Sequence, residues 1–201
     1  LLALTALHGL SMMPFWEDWM RDLARVIGDS GRLPWSFSLG LLACLAAVAG
    51  VYALMAAATR RLTPSRLPFK RYLATFAFAA LPLAFAYHMA HNLNHLVRES
   101  AGVSRVVQNP LGTSALPFSM AEKQIRHMNM LTWQDTIFAL QAGLLVLGFL
   151  VAVRIVRQRG AALLEAERAG QGWRLFPMLL FAAGMSGFNL WLLMQPMLMR
   201  L

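Results

Sequence analysis

Cysteine is nearly absent from this sequence: Cys44 is the only one in 201 residues. One thiol cannot form an intramolecular disulfide, and it cannot complete the cysteine-rich sites that hold structural zinc or iron–sulfur clusters. Cys44 lies in the middle of an apolar run, so we interpret it as a small packing residue. Iron–sulfur clusters and thiolate zinc sites bound by these residues alone are therefore excluded.

Charged residues are also scarce. They make up 13% of the chain, while 58% of the residues are hydrophobic; soluble domains usually carry about 25% charged residues. The charges are segregated along the chain, and they leave apolar runs of the roughly 20 residues that a helix needs to cross a bilayer. The sequence therefore predicts an all-α, polytopic membrane protein in contact with the lipid bilayer.

Four apolar runs are long enough to be complete transmembrane helices: 36–58, 69–97, 132–156 and 175–197. Residues 1–13 are predicted to be the end of an earlier helix, because the chain opens inside an apolar run, and we expect a preceding segment. The run 69–97 is longer than a bilayer requires, so we expect a tilt, a kink at Pro82 or an extension beyond the membrane. All of these runs are assigned to one helical membrane domain, 1–201.

Two connecting segments carry further predictions. Residues 14–34 are predicted to form an outer interfacial segment, since 15–27 alternate at helical period between an apolar face with Trp16 and Trp19 and a charged face. Residues 98–131 are predicted to be an outer loop, with a turn at 109–112 and a short surface helix at 119–130.

Basic residues orient the predicted spans. The loop after the first complete span contains five cations and no acid, and the loop before the last span contains five cations and two acids. The cations are Arg60, Arg61, Arg66, Lys70 and Arg71 in the first loop and Arg154, Arg157, Arg159, Arg168 and Arg174 in the second. Short basic loops stay in the cytoplasm. Topology thus explains the net charge of +9, and no nucleic-acid partner is expected.

Three of the five histidines lie at the end of the second complete span. On a helix, at about 100° per residue, His88, His91 and His95 fall within roughly 60° of one another. Ionisable side chains at a membrane helix end are costly and usually face a partner, a cavity or a ligand. We therefore favour a metal or haem site over histidines that only hydrogen-bond to neighbouring helices.

The predicted topology brings His8 and His127 to the same outer side. His91 and His95, one turn apart, can share one ion with a third ligand from His8, His127 or a carboxylate. Haem b would instead take its axial ligands from two different helices. Copper and haem b both stay open at this point. Thioether ligands favour Cu(I), and the candidate soft ligands are Met89, Met128 and Met197. The polar groups expected around the site are Asn92, Arg98 and Glu99.

Three strings resemble the membrane part of bacterial polyferredoxin-type proteins: TALHGLSM at 5–12, YHMAHNL at 87–93 and NLWLLMQPMLMR at 189–200. This family includes relatives of the quinol-dehydrogenase subunit of periplasmic nitrate reductase, of the nitrous oxide reductase maturation factor and of the copper-assembly ferredoxins. The resemblance implies electron transfer or copper handling in the bacterial inner membrane, and it assigns no role to an individual histidine. The basic loops place the histidines on the periplasmic side. The chain lacks the family's Cys-x-x-Cys clusters, so iron–sulfur clusters would belong to a missing segment or a partner.

Together these features predict the membrane subunit of a redox assembly with other subunits as partners. It would transfer electrons between quinone or iron–sulfur centres and an outer-face acceptor through a histidine-ligated centre. One alternative is copper binding and delivery at the periplasmic face without turnover. The other is a structural subunit, and whether the chain is an enzyme stays open.

Overall fold

A computed structural model of the chain describes residues 1–63, 67–113, 117, 119–163 and 172–195, with backbone alone at 98, 99, 101, 104, 105, 126, 127 and 129–132. Every regular element in these ranges is helical, which confirms the all-α prediction. The elements are α1 (Leu2–Leu10), α2 (Pro14–Ile27), α3 (Pro34–Leu62), α4 (Phe69–Ala77), α5 (Ala80–Gln108), α6 (Met120–Thr132), α7 (Gln134–Leu163) and α8 (Phe176–Met194), with a 3-10 helix at Gly172–Leu175 before α8.

Within the described ranges, four helical segments are long and apolar enough to cross a membrane: Pro34–Leu62, Phe69–Val97, Gln134–Leu163 and Gly172–Met194. They correspond to the four predicted spans. α3 and α7 extend beyond the ends expected at residues 58 and 156, because helical hydrogen bonds continue where the side chains become charged. Large apolar side chains cover their outer surfaces, as at Leu42 and Leu54, which is consistent with contact to lipid.

The second long segment is broken between α4 and α5. Pro82 has no amide hydrogen to donate to the carbonyl of Phe78, and the amide of Leu81 donates to that carbonyl instead, at 3.3 Å. The break therefore lies one turn before the proline at which the sequence predicted a kink. α5 then continues to Gln108, so residues 98–108 are helical rather than part of the predicted outer loop.

The remainder of the predicted loop contains a turn and α6. The amide of Gly112 donates to the carbonyl of Asn109 at 3.1 Å, and Gly112 adopts a φ of +67°, which glycine tolerates without steric cost. A capping box precedes α6: the amide of Ser119 donates to Glu122 Oε2 at 2.9 Å, and the amide of Glu122 donates to Ser119 Oγ at 3.3 Å. These bonds satisfy backbone donors at the start of α6.

α5 and α7 form the central helix pair. Gln141 Nε2 donates to the carbonyl of Ala90 at 2.8 Å, and further along α7 Gly148 packs directly against Ala86. Residues later in α7 thus contact residues earlier in α5, so the two helices are antiparallel. α8 packs against α3, α5 and α7, and α1 packs against α5, α3 and α8.

The two ends of this bundle differ in chemistry. At one end the guanidinium of Arg159 lies 4.6 Å from the ring centre of Phe78, and α3 finishes with Arg60 and Arg61. At the other end His91 follows Ala90, one turn along α5 from Tyr87. We call these the arginine end and the histidine end.

α2 packs on α3 through a narrower apolar stripe than the sequence indicated. Trp16, Met20 and Ala24 are buried, and a Cβ atom built on Gly40 of α3 would lie 2.6 Å from the Met20 sulfur. Trp19 of the predicted apolar face is exposed, and so are the apolar side chains of Val26 and Ile27 at the end of α2. The buried stripe is therefore rotated towards Ala24, because α3 covers it.

Candidate functional site

α1 brings His8 into contact with α5. Gly9 permits a close approach, because a Cβ atom at this position would collide with the hydroxyl of Tyr87 and lie 3.1 Å from its Cζ. Beside it, the imidazole of His8 has its ring centre 5.0 Å from that of His91, with the ring planes at 78°. The structure thus brings together two of the five predicted histidine ligands from two different helices.

His91 is the buried member of the pair. It is 5% exposed, and neither Nδ1 nor Nε2 has a hydrogen-bond partner among the described residues. Leaving a buried donor or acceptor unpaired costs about 1–3 kcal/mol, and native proteins contain few such groups. The ring contact with His8 does not replace those hydrogen bonds, so a neutral His91 keeps one N–H donor and one nitrogen lone pair unused.

The other two histidines of α5 lie in different surroundings. His95 is half-buried, with its ring centre 6.4 Å from that of His91. His88 is exposed, and Asn92 Nδ2 lies 3.4 Å from its Nδ1 and donates to its carbonyl at 2.8 Å. Asn92, predicted to support the site, therefore contacts the exposed His88. The predicted histidine face runs from the interior of the bundle to its surface.

Two further polar side chains are buried at the histidine end. Tyr87 is fully buried, with its ring centre 5.8 Å from that of His91, and Asn189 is 1% exposed. Within the described part of the chain, the hydroxyl of Tyr87 and both side-chain polar atoms of Asn189 have no hydrogen-bond partner. Asn189 lies one turn before Leu192, which lines the same side of α8 and approaches Gly9.

Neither Tyr87 nor Asn189 was among the predicted site residues. A signal was present in the sequence, because polar side chains inside apolar runs usually face a partner or a cavity. The same signal applies to Gln141, which is buried and bonded to the carbonyl of Ala90. Periodicity alone did not show which of these polar groups face one another.

The ring separation of His8 and His91 can be compared with the ligand geometry of the two predicted cofactors. A nitrogen–metal distance of about 2.1 Å puts two imidazole centres roughly 5 Å apart when they bind one tetrahedral ion. The observed 5.0 Å agrees with this value. Axial ligands on opposite sides of a haem would have centres roughly 6.4 Å apart with the porphyrin between them, and the direct ring contact leaves no room for it. The separation is compatible with a small ion shared by the two rings, and it is also the usual spacing of two rings in an edge-to-face contact.

Two imidazoles do not complete a metal site. Among the described residues, no group of three histidine, cysteine, aspartate or glutamate side chains is arranged to hold an ion. His95 is too far from His91 to share a tetrahedral ion without a change of side-chain conformation. A third ligand would come from such a movement or from a group outside the described residues.

The remaining predicted ligands do not join this pair in the described structure. Met89 and Met128 are exposed, on α5 and α6. The structure does not describe the side chains of His127, Arg98 and Glu99 or any part of Met197.

Comparison with known proteins adds no relative: no protein-family model, no curated protein and no solved structure matches this chain.

Proposed function

We propose that this protein is the membrane subunit of a bacterial redox assembly and that His8 and His91 hold a small redox-active ion, with copper the best candidate. The observation that carries the proposal is the buried His91, whose two nitrogens are unpaired and whose ring lies 5.0 Å from that of His8. Imidazole is a good ligand for copper. The resemblance to polyferredoxin-type membrane proteins is a second reason for the proposal.

Buried polar and apolar side chains surround His91. Tyr87 and Asn189 carry buried polar atoms that are able to orient an imidazole or a third ligand by hydrogen bonding. Apolar residues packed around them, including Leu192, shield the His91 side of the pair, whereas His8 is exposed. When bound, copper would supply one-electron redox chemistry. The proposed partners are a quinol or an iron–sulfur subunit as donor and an outer-face acceptor.

The proposed orientation places the histidine end at the periplasmic side of the inner membrane. Its support is the position of Arg60, Arg61 and Arg159 at the other end of the bundle. Copper delivery without redox turnover receives less support, because it would use thioethers beside the imidazoles, whereas Met89 and Met128 lie on the surface.

The direct test measures copper binding to the purified, metal-stripped protein in mild detergent. We expect about one ion per chain in the wild type and at least tenfold weaker binding in His8→Ala and in His91→Ala. His88→Ala is the matched control, because it removes an exposed imidazole from the same helix; its affinity should stay within about twofold of the wild type.

A redox role further requires that a quinol analogue reduce the bound ion and that an oxidant restore it without release. An ion that leaves on reduction would support copper delivery instead. Equal binding by wild type, His8→Ala and His91→Ala would contradict the site. A Soret band in the purified wild type that persists in both variants would show a haem held elsewhere.

A further inference from the structure

A groove at the arginine end lies between the C-terminal turn of α3 and the first turn of α4. Its lining residues are Ala57, Arg60, Arg61 and Phe69. Both arginines are exposed, and neither takes part in the two ion pairs of α2, Arg21–Glu17 and Arg25–Asp22. Among the described residues, the groove therefore presents two guanidinium groups with no ion pair recorded for either.

The stretch of chain that forms the groove is basic. Residues 60–71 contain five cations and no aspartate or glutamate, and two of these cations, Lys70 and Arg71, directly follow Phe69. Guanidinium groups bind phosphate oxygens with paired hydrogen bonds. The groove thus has the charge and the donors that a phosphate group needs.

The walls of the groove also carry apolar side chains, which a free phosphate ion would not contact. Ala57 and Phe69 line it, and Leu54, one turn before Ala57 on α3, is 62% exposed. A strip of apolar surface thus leads from the length of α3 to the two arginines. Such a strip suits an acyl chain whose headgroup lies at the end of the helix.

We propose that this groove binds the phosphate of an anionic phospholipid. The inference rests on the membrane insertion proposed above and is independent of the histidine site. If α3 and the α4–α5 segment cross the bilayer, the groove lies at headgroup level, where basic pockets between helices bind acidic lipids. Inorganic phosphate offers the same oxygens to Arg60 and Arg61 but leaves the apolar strip uncovered. Contact with the apolar strip therefore distinguishes a lipid phosphate from a free phosphate ion.

The experiment measures the affinity of the purified protein for a fluorescent phosphatidylglycerol in dodecyl maltoside micelles, with phosphatidylcholine as the neutral lipid. We expect Arg60→Gln/Arg61→Gln to weaken phosphatidylglycerol binding at least tenfold. Arg154→Gln/Arg157→Gln is the matched control: it removes the same charge from exposed positions of α7, outside the groove. This control should lose less than threefold.

A second variant keeps every charge. Ala57→Phe should fill the groove and weaken phosphatidylglycerol binding at least fivefold, and unchanged helix content would show that the fold is retained. Equal loss in the two double variants would show that binding follows net charge, which overturns the groove assignment. Displacement of the lipid by millimolar inorganic phosphate would show a free-anion site instead. Equal affinity for phosphatidylcholine would also contradict the proposal.

Discussion

Tyr52 and Tyr87 differ in what their hydroxyl groups contact. The hydroxyl of Tyr52 donates to the carbonyl of Leu73 and links α3 to α4. The hydroxyl of Tyr87 is fully buried and has no hydrogen-bond partner among the described residues. The same chemical group therefore contributes to stability at one position and lowers it at the other.

Removing these two hydroxyls should change the free energy of unfolding in opposite directions. In the metal-free protein we expect Tyr87→Phe to raise it by about 1 kcal/mol, because an unpaired buried polar group is removed. Tyr52→Phe should lower it by about 1 kcal/mol, because a hydrogen bond is lost. Unfolding in mixed dodecyl sulfate and dodecyl maltoside micelles measures both. A destabilised Tyr87→Phe variant would show that its hydroxyl has a partner.

At the scale of single elements, the start of α3 depends on a residue from the preceding loop. Asp29 Oδ2 accepts hydrogen bonds from the amide and the hydroxyl of Ser36, both at 2.8 Å. Desolvation raises the pKa of Asp29, but these bonds, together with those from the Ser30 and Trp35 amides, outweigh it, and the pKa lies below its usual 3.8. The carboxylate thus caps the first turn of α3 in its ionised form.

The lowered pKa predicts the direction of a pH effect. The folded protein holds fewer protons at Asp29 than the unfolded chain, so this contribution to stability is present above about pH 4 and is lost as the pH falls through the folded-state pKa. Asp29→Asn cannot titrate, so its stability should decline less steeply below pH 4. Thermal unfolding in a non-ionic detergent between pH 6 and pH 3 measures this, and identical slopes for both proteins would contradict the cap.

The contact between α5 and α7 depends on Gly148. A Cβ atom there would collide with the Ala86 methyl and lie 2.9 Å from the carbonyl oxygen of Pro82, and backbone cannot move aside as a flexible side chain can. Gly143 of the same helix has nothing within 4 Å of the corresponding position. The two glycines therefore offer a matched comparison within α7.

We expect Gly148→Ala to lower the free energy of unfolding by about 1–3 kcal/mol through overpacking. Gly143→Ala should be neutral or raise it by up to about 1 kcal/mol, because alanine favours the helix. The same unfolding assay compares them. Two variants with equal stability would show that α5 and α7 adjust to the added methyl group.

At the scale of the whole molecule, the histidines of α5 and the arginines of α7 lie at opposite ends of one antiparallel pair. This separation makes the orientation in the membrane testable with two cysteines in a Cys44→Ala background. In intact bacteria, Thr113→Cys should react with a membrane-impermeant maleimide, whereas Ala161→Cys should react only after permeabilisation. Labelling of Ala161→Cys in intact cells would reverse the orientation and place the histidine site at the cytoplasmic face.

The sequence by itself determined the helical class and the four long apolar segments. Inside a bilayer, the backbone of a long apolar run finds no water with which to hydrogen-bond. Each run must therefore pair its own amides and carbonyls as a helix. The segregation of basic residues to the ends of those runs was equally visible. These are local properties, and they depend on neither contact partners nor packing angles.

Helix ends and faces were harder to predict. Residues 98–108 are polar enough to suggest a loop, yet α5 continues through them, since hydropathy measures partition into lipid and not backbone hydrogen bonding. On α2, periodicity grouped Trp16 with Trp19, but α3 covers only Trp16. An angular pattern identifies which side chains share a broad face and does not identify which of them a neighbouring helix will bury.

At the candidate site, too, the sequence identified candidate residues and the tertiary structure decided which of them lie together. Residue type and spacing identified His8, His88, His91 and His95 as ligand candidates. The three on α5 lie within roughly 60° of one another, and so small an angle does not show which imidazole is buried and which is exposed. Only the tertiary structure selected His8 as the neighbour of His91, because Gly9 has no side chain to keep α1 away from Tyr87. That close approach involves residues far apart in the chain, and no local pattern encodes it.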